Sequence, residues 1–284
     1  MMVIDEAFKA GFNNQTNLFD QIMALQGDVF REMDGRRTLR IQHGGKSYFA
    51  KLHSGIGWKE IFKNLSQFKA PIWGAENEWS AIQKLDQLKV DTMKLVAYGR
   101  RGFNPAKFQS FVITEDLIDT TSLEDFCEPW KAQSPLSGDV LRLKRKLITR
   151  VAWMGKTMHL NGVNHRDFYL VHFLLNTKPS VEQLANSGFT VSIIDLHRVL
   201  ISGETPDRWR VKDIGAMYFA SMDIGLTKRD VFRFMCAYRG KSLRETLAED
   251  ADFWQDVQYR AVKQYNKLFF KDPEFPKRVG LTKL

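Results

Sequence analysis

The sequence of 284 residues lacks several features that would assign it to a class at once. Its two cysteines, Cys127 and Cys236, form no CxxC pair, which argues against a disulfide framework and against a cysteine zinc site. No run of 18 apolar residues is present, so we expect no membrane-spanning helix. The first residues are charged from Asp5 onward, so we expect no signal peptide. These absences predict a cytoplasmic protein whose membrane contact is at most peripheral.

The composition is that of a folded and basic protein. Hydrophobic residues make up 44% and aromatic residues 12%, which is enough for a large core and argues against disorder. The formal net charge is +9, and the pI is near 9.4. Such an excess of positive charge favours an acidic partner: nucleic acid, anionic lipid, a phosphorylated glycan or an acidic protein. Charge alone does not distinguish among them.

The first part of the chain reads as antiparallel strands. Residues 1–20 predict a short strand or arm and the start of a helix. Alternating segments joined at Asp34-Gly35 and Gly44-Gly45 predict three strands, because such dipeptides favour tight hairpins. Two further strand patterns, near residues 96–99 and 110–114, complete a predicted five-stranded sheet.

Lys51 follows apolar residues on the third predicted strand, and the helix predicted over residues 75–85 carries two acids. Glu78 lies beside the apolar stripe of that helix and is the better candidate to face inward; Glu76 lies half a turn away. A strand lysine paired with a helix glutamate is the arrangement that contacts nucleotide phosphates in kinases. The alternative is a lysine that protects a sheet edge from aggregation.

Residues 57–69 predict a basic amphipathic helix with an apolar stripe that includes Trp58 and Phe62. Such a helix either lies on an anionic membrane surface or packs its stripe against the first half of the protein. Both interpretations remain open from the sequence.

The second part predicts a long helix over residues 140–160, whose basic residues are expected on a solvated face: Arg142, Lys144, Arg145, Lys146 and Arg150. A polar cluster over residues 164–167 follows between apolar flanks, and a β-branched run further on ends at Asp195. Phosphoryl transfer needs two such acids, one for the attacking hydroxyl and one for Mg²⁺. Asp167 and Asp195 are the candidates.

The order of Lys51, Glu78, a connector at 115–117, Asp167 and Asp195 resembles that of the protein-kinase-like fold. More narrowly, the stretches 25–32, 35–40, 57–65, 120–126, 164–175, 194–198, 208–213 and 221–230 resemble the lipopolysaccharide core heptose(I) kinase family of Gram-negative bacteria.

The resemblance implies an α+β, bilobal, protein-kinase-like fold. Residues 1–116 would form an N-terminal lobe with the five-stranded antiparallel sheet, and residues 117–284 a mostly helical C-terminal lobe. It also implies an enzyme that uses ATP and Mg²⁺ to phosphorylate the first heptose of the lipopolysaccharide inner core, at its 4-hydroxyl. The expected place of action is the cytoplasmic face of the inner membrane. Acyl carrier protein is a further expected partner, and nucleic acid is not.

The resemblance also carries residue roles to this chain. Asp167 would be the catalytic base, Lys51 the phosphate contact, Glu78 its partner and Asp195 the metal ligand. Further expectations concern the backbone of the connector at Glu115 and Leu117, which would contact adenine, and Asp213, which would brace the catalytic loop through backbone N–H groups. Arg166 and Arg198 would hold an anionic acceptor; the alternative is that each pairs with a carboxylate inside the protein.

Two departures from protein kinases leave alternatives open. No G-x-G-x-x-G joins the first strands, so Arg36 or Arg37 would have to cover the phosphates. His172 stands five residues after Asp167, where a metal-binding Asn is expected, and is either a nucleotide-site residue or a hydrogen-bonded pocket histidine. A kinase acting on protein or on another small molecule therefore remains an alternative, as does a catalytically impaired nucleotide-binding scaffold.

Overall fold

The computed structural model describes residues 1–13, 15–33, 35–55, 74–104, 106–133 and 135–278. The amphipathic helix predicted over residues 57–69 lies outside these ranges. No helix in the described ranges has both the length and the apolar composition needed to cross a bilayer.

The chain forms two compact units. The first comprises Met1–Lys84, Met93–Leu117 and Leu196–Arg198, and the second comprises Leu85–Thr92, Ile118–Asp195 and Val199–Leu284. One boundary, between Leu117 and Ile118, lies one residue from the boundary predicted after residue 116. Leu85–Thr92 and Leu196–Arg198 each group with the unit to which the predicted division did not assign them.

The first unit is built on an antiparallel sheet with the strand order β1-β5-β6-β4-β3-β2. Its strands are β1 (Met2–Ile4), β2 (Asp28–Met33), β3 (Arg36–His43), β4 (Lys46–His53), β5 (Leu95–Arg101) and β6 (Gln109–Glu115). The prediction of five strands was wrong by one. The predicted N-terminal arm is β1, and it joins the sheet because Met2–Ile4 pairs with β5, with Val3 opposite Tyr98.

Alternation along β4 gives this sheet two different faces. Tyr48, Ala50 and Leu52 are buried on one side, so Lys51 lies on the other. Helices α1 (Glu6–Lys9) and α2 (Leu18–Met23) cover the apolar side, where their buried residues join the strand side chains in one core: Phe8, Phe19, Ile22, Leu39, Ile41 and Phe111 among others.

Helix α3 (Glu76–Gln87) is placed next to the face that carries Lys51. The strand register aligns Lys51, Val112 and Tyr98 across β4, β6 and β5. Trp79 of α3 stacks on Tyr98, with ring centroids 4.4 Å apart and planes 8° from parallel. This aromatic contact fixes the first turn of α3 over the row that contains the lysine.

The second unit is mostly helical. Its helices are α4 (Leu123–Cys127), α5 (Gly138–Leu160), α6 (Val181–Ser187), α7 (Asp207–Ser221), α8 (Lys228–Arg239), α9 (Leu243–Glu249), α10 (Ala251–Phe269) and α11 (Glu274–Arg278). Its short strands are β7 (Thr120–Ser122), β8 (Val163–Asn164), β9 (Phe173–Asn176), β10 (Val191–Ile193) and β11 (Leu200–Ile201). They form an antiparallel sheet, β10-β9-β7, and the pair β11-β8.

Helix α5 corrects one prediction about surface charge. Lys144, expected on the solvated face, is 2% exposed, and its Nζ lies 3.0 Å from Oδ2 of Asp230 and 2.9 Å from the carbonyl oxygen of Gly225. Burial alone would raise the pKa of Asp230, but hydrogen bonds from Lys144 and Thr227 outweigh it and hold that pKa below its usual value. The lysine is therefore an internal ion-pair partner that joins α5 to α8.

Candidate active site

In the first unit, Lys51 is paired with a buried glutamate. Its Nζ lies 2.7 Å from Oε1 of Glu78, whose side chain is 3% exposed, whereas the lysine side chain is 25% exposed. Glu76 points elsewhere and pairs with Arg100 across 2.7 Å. The structure thus holds the Lys51 ammonium group in place from its buried side, while its role toward phosphate stays a prediction.

The connector residues follow the last strand of the same sheet. The backbone N–H of Glu115 donates to the carbonyl oxygen of Lys94 at 2.9 Å, and the Glu115 carboxylate pairs with the Lys94 ammonium at 2.7 Å. The next N–H, of Asp116, donates to the carbonyl of Ser47. The N–H of Glu115 is therefore already paired within the first unit, and the adenine role predicted for its backbone stays a prediction. The adenine role predicted for Leu117 likewise stays a prediction.

The two arginines predicted to cover phosphates are the first two residues of β3. Arg37 donates a hydrogen bond from Nη2 to the carbonyl oxygen of Met23 at 3.0 Å, so its guanidinium ties β3 to the end of α2. Arg36 pairs in register with His53. Burial first, and then the nearby positive charges of Arg36, Lys51 and His197, lower the pKa of His53 to about 4.

In the second unit, the loop that carries Asp167 is held by a buried carboxylate. Asp213 of α7 is fully buried, and its two oxygens accept the backbone N–H groups of His165 and Arg166, each at 2.8 Å. This confirms the bracing role predicted for Asp213. Two further donors complete the network around Oδ2, Asn164 Nδ2 at 2.7 Å and His159 Nε2 at 3.2 Å.

Sequence reasoning missed those two donors. Asn164 and His159 are buried polar residues, and His159 also contacts the hydroxyl of Tyr238 through Nδ1 at 2.8 Å. A polar residue among the apolar positions at the end of a helix is the signal that could have found His159. Buried polar groups need partners, so His159 and Asn164 were candidates for one network with Asp213.

Asp195 follows β10 in a left-handed backbone conformation, with φ of 61°. Ile194, the residue before it, is hydrogen-bonded to the segment around Asp167 through both its backbone N–H and its backbone carbonyl. The N–H of Ile194 donates to the carbonyl of His172 at 2.9 Å, and His165 Nε2–H donates to the carbonyl of Ile194 at 3.0 Å. Burial lowers the pKa of His165, which favours the neutral ring, and the hydrogen bond to Ile194 places its one N–H on Nε2.

His172 lies between the two predicted acids. Its Nδ1 is 2.7 Å from the backbone carbonyl oxygen of Asp167, and its Nε2 is 3.5 Å from Oδ2 of Asp195. Within the described residues no cluster of three or more His, Cys, Asp or Glu side chains is arranged to hold a metal. Asp195 and His172 bring one carboxylate oxygen and one imidazole nitrogen 3.5 Å apart, and the metal role predicted for Asp195 stays a prediction.

The two candidate acceptor residues lie in different settings. The Arg166 guanidinium lies over the ring of Trp209, 5.8 Å from its centroid, and its backbone has φ of 73°. Arg198 ends the short 3₁₀ turn Leu196–Arg198 and is half-buried. Their roles toward an acceptor stay predictions.

The comparisons with known proteins all lead to one family of kinases. The family model of the lipopolysaccharide kinase (Kdo/WaaP) family matches residues 20–238. A protein of Pseudomonas aeruginosa named lipopolysaccharide core heptose(I) kinase WaaP is 46% identical over 266 residues, which is 94% of this chain and 96% of the relative. An Escherichia coli protein of the same name is 46% identical over 245 residues, covering 86% of this chain and 90% of its own length.

A solved structure described as WaaP in complex with acyl carrier protein has 42% sequence identity and a TM-score of 0.77, and the match covers 93% of this chain and 99% of that one. The matches define an ATP-dependent kinase. The chain belongs to the lipopolysaccharide kinase (Kdo/WaaP) family.

Proposed function

We propose that this protein transfers the γ-phosphoryl group of ATP to the 4-hydroxyl of the first heptose in the lipopolysaccharide inner core, on a bilobal protein-kinase-like fold. The observation that carries the proposal is the 46% identity, over 94% of the chain, to a protein named as a core heptose(I) kinase. The match is not confined to one of the two units, because it extends over nearly the whole chain.

Asp167 is the proposed base. Phosphoryl transfer depends mainly on alignment and charge neutralisation, so the acid needs a fixed position more than a strong basicity. The loop preceding Asp167 is fixed, because Asp213 holds the N–H groups of His165 and Arg166. Asp167 would orient the heptose hydroxyl and accept its proton as the new bond to phosphorus forms and the bond to the ADP oxygen breaks.

Lys51 would contact the nucleotide phosphates. The buried Glu78 carboxylate at 2.7 Å holds the ammonium group in position before nucleotide binds. The carbonyl oxygen of Glu115 and the backbone of Leu117 would contact the adenine edge. Each of these contacts orients the nucleotide without taking part in bond breaking.

Mg²⁺ is the proposed metal, and Asp195 is the residue that would hold it with a carboxylate oxygen, the ligand type this ion prefers. When bound, the ion supplies positive charge that neutralises the transferring phosphoryl group. The backbone ties of Ile194 to His165 and His172 set the position of the Asp195 carboxylate relative to the loop of Asp167.

Arg166 and Arg198 are proposed to hold the anionic glycolipid acceptor. Arginine suits this role because its planar guanidinium binds phosphate or carboxylate oxygens through two parallel hydrogen bonds. The stacking of Arg166 on Trp209 restricts its side chain and lowers the entropy lost on binding.

We also propose acyl carrier protein as a partner and peripheral contact with the cytoplasmic face of the inner membrane. A relative with 42% identity forms a complex with acyl carrier protein. The net charge of +9 suits an acidic protein and an anionic membrane surface alike.

The alternatives are a kinase for protein or another small molecule and a nucleotide-binding scaffold without catalysis. The scaffold is favoured by the lack of a G-x-G-x-x-G motif between the first strands and by His172, which stands where an oxygen ligand is expected. Lys51, Glu78, Asp167 and Asp195 oppose it, since a scaffold has no need of all four.

The deciding experiment incubates the purified protein with Mg-ATP and a heptose-containing core acceptor and measures the acceptor by mass spectrometry. We expect one added phosphoryl group, located at the 4-hydroxyl by NMR of the product. Asp167→Ala should abolish transfer, whereas Asp207→Ala, an exposed acid on α7, should not. Nucleotide binding without transfer to any acceptor would support the scaffold, and transfer to peptides but not to glycolipid would support a protein kinase.

A further inference from the structure

The protonation of the His172 ring follows from its contact with Asp167. Nδ1 is 2.7 Å from the backbone carbonyl oxygen of Asp167, and a carbonyl oxygen can only accept a hydrogen bond. Nδ1 therefore carries the ring proton. In the neutral imidazole the second nitrogen, Nε2, then presents a lone pair.

That lone pair faces another electron-rich atom. Nε2 lies 3.5 Å from Oδ2 of Asp195, which is too long for a good hydrogen bond. Two ligand atoms bound to one ion at about 2.0–2.2 Å are separated by roughly 3 to 3.6 Å. The observed separation is within that range, so the two atoms are spaced to share one cation.

The ring is also held as metal-binding histidines are held. Such histidines almost always donate their other N–H to a carbonyl or carboxylate, which fixes the tautomer and the ring orientation. His172 does so toward Asp167, and its own carbonyl accepts the N–H of Ile194 at 2.9 Å, next to Asp195. The His165 ring lies beside the His172 ring, with the two centroids 6.0 Å apart and the ring planes 28° from parallel.

We propose that His172 Nε2 and Asp195 Oδ2 together bind the nucleotide-associated divalent cation, as a mixed nitrogen and oxygen pair. This rests on the proposed function only in taking Asp195 as the metal residue. An imidazole ligand suits transition metals better than Mg²⁺, which prefers oxygen. The site therefore accepts Mn²⁺ and similar ions more readily, relative to Mg²⁺, than an all-oxygen kinase site does.

The direct test needs no acceptor and no turnover. Mn²⁺ is added to the wild-type protein with a non-hydrolysable ATP analogue, and pulsed electron paramagnetic resonance is used to detect coupling to nitrogen. We expect nitrogen coupling from one imidazole, altered when the protein is labelled with ¹⁵N-histidine. Bound Mn²⁺ without such coupling, or no bound Mn²⁺, would overturn the proposal.

Variants measure the metal preference. His172→Asn replaces the nitrogen ligand by an amide oxygen and should abolish the nitrogen coupling. It should also lower the ratio of Mn²⁺ to Mg²⁺ affinity, measured by calorimetry with the analogue, by roughly tenfold or more. The matched control is His43→Asn, because the His43 ring contacts a backbone carbonyl, that of Phe8 at 2.8 Å, in the first unit. An unchanged ratio in folded His172→Asn would contradict the proposal.

The two proposals fail separately. Nitrogen coupling without phosphoryl transfer would leave the metal site standing and remove the heptose kinase. Transfer to heptose with Mn²⁺ bound and no nitrogen coupling would leave the heptose kinase standing and remove the metal site. A single imidazolium–carboxylate pair at His172 and Asp195, with the cation held elsewhere, is the arrangement that this second outcome would indicate.

Discussion

The carboxylate of Asp213 accepts the backbone N–H of Arg166 at 2.8 Å, and Arg166 has a φ of 73°. A left-handed conformation in a residue other than glycine costs about 1–3 kcal/mol and persists only where the surroundings enforce it. Asp213 enforces it, since it also accepts the N–H of His165. The backbone turn immediately before Asp167 therefore depends on one buried acid that would not contact substrate.

Asp213→Asn tests this dependence. One oxygen becomes an NH₂ group that faces donors, and the buried charge that four donors share is lost. We expect a loss of about 3 kcal/mol in the free energy of unfolding, measured by urea denaturation. If the variant is folded, kcat should fall while the KM for ATP changes little, because the altered residue acts through the loop.

The control for Asp213→Asn is Asp207→Asn at the start of the same helix. The Asp207 side chain is 75% exposed, so its change should remain within about 0.5 kcal/mol. Equal effects of the two substitutions would refute the bracing role.

The pair of Lys51 and Glu78 makes a second prediction. Lys51→Met leaves the nearly buried Glu78 carboxylate without its cation, and we expect a loss of about 3 kcal/mol. The double variant Lys51→Met with Glu78→Leu should recover most of this loss, because burying two apolar side chains is often neutral compared with a buried ion pair. A double-mutant cycle in urea measures both effects.

Glu76→Gln is the matched control in the same helix turn. Glu76 and Arg100 are 50% and 40% exposed, so breaking their pair should change stability by less than about 1 kcal/mol. If Glu76→Gln and Lys51→Met prove equally costly, the buried position of Glu78 has no special energetic role.

The sequence was informative where a residue's setting follows from its local pattern. Hairpin signals placed Lys51 on the third predicted strand, and helix periodicity favoured Glu78 over Glu76. The bracing role of Asp213 was predicted only through the family resemblance, since nothing local connects residue 213 with residues 165 and 166.

Prediction from the sequence failed where the burial of a residue depends on partners that are distant along the chain. Lys144 looks like its exposed neighbours Arg145 and Lys146, and only the packing of α8 with Asp230 makes it internal. The strand β1 was missed as part of the sheet for the same reason, because its partner β5 lies more than ninety residues later, with Met2 opposite Gly99. The spacing of apolar residues in a helix or strand indicates which face a residue occupies, but it does not indicate what covers that face.

Lys144 gives a third prediction. Lys144→Met should reduce the free energy of unfolding by about 3 kcal/mol, because Asp230, 5% exposed, loses its buried cation. Asp230 retains hydrogen bonds from Thr227 and Arg233, which limits the loss. Thermal and urea unfolding should both report it. Arg145→Met, one residue along and exposed, should change stability by about 0.5 kcal/mol or less; a comparable loss there would show that the helix, and not the ion pair, is sensitive.

The last prediction concerns pH and His53. Its pKa in the folded protein is about 4, mainly because burial disfavours the charged ring, and its ordinary value is 6.5. Between these values the unfolded chain binds a proton that the folded chain does not, so stability rises with pH from about 4 to 6.5, and this contribution is complete above 6.5.

Urea midpoints should therefore fall as pH is lowered through this window, and His53→Asn should reduce the slope by up to one proton. Added salt should preserve most of the slope, since burial outweighs the charges of Arg36 and Lys51. An NMR titration of the His53 ring with a midpoint near 6.5 would contradict the prediction.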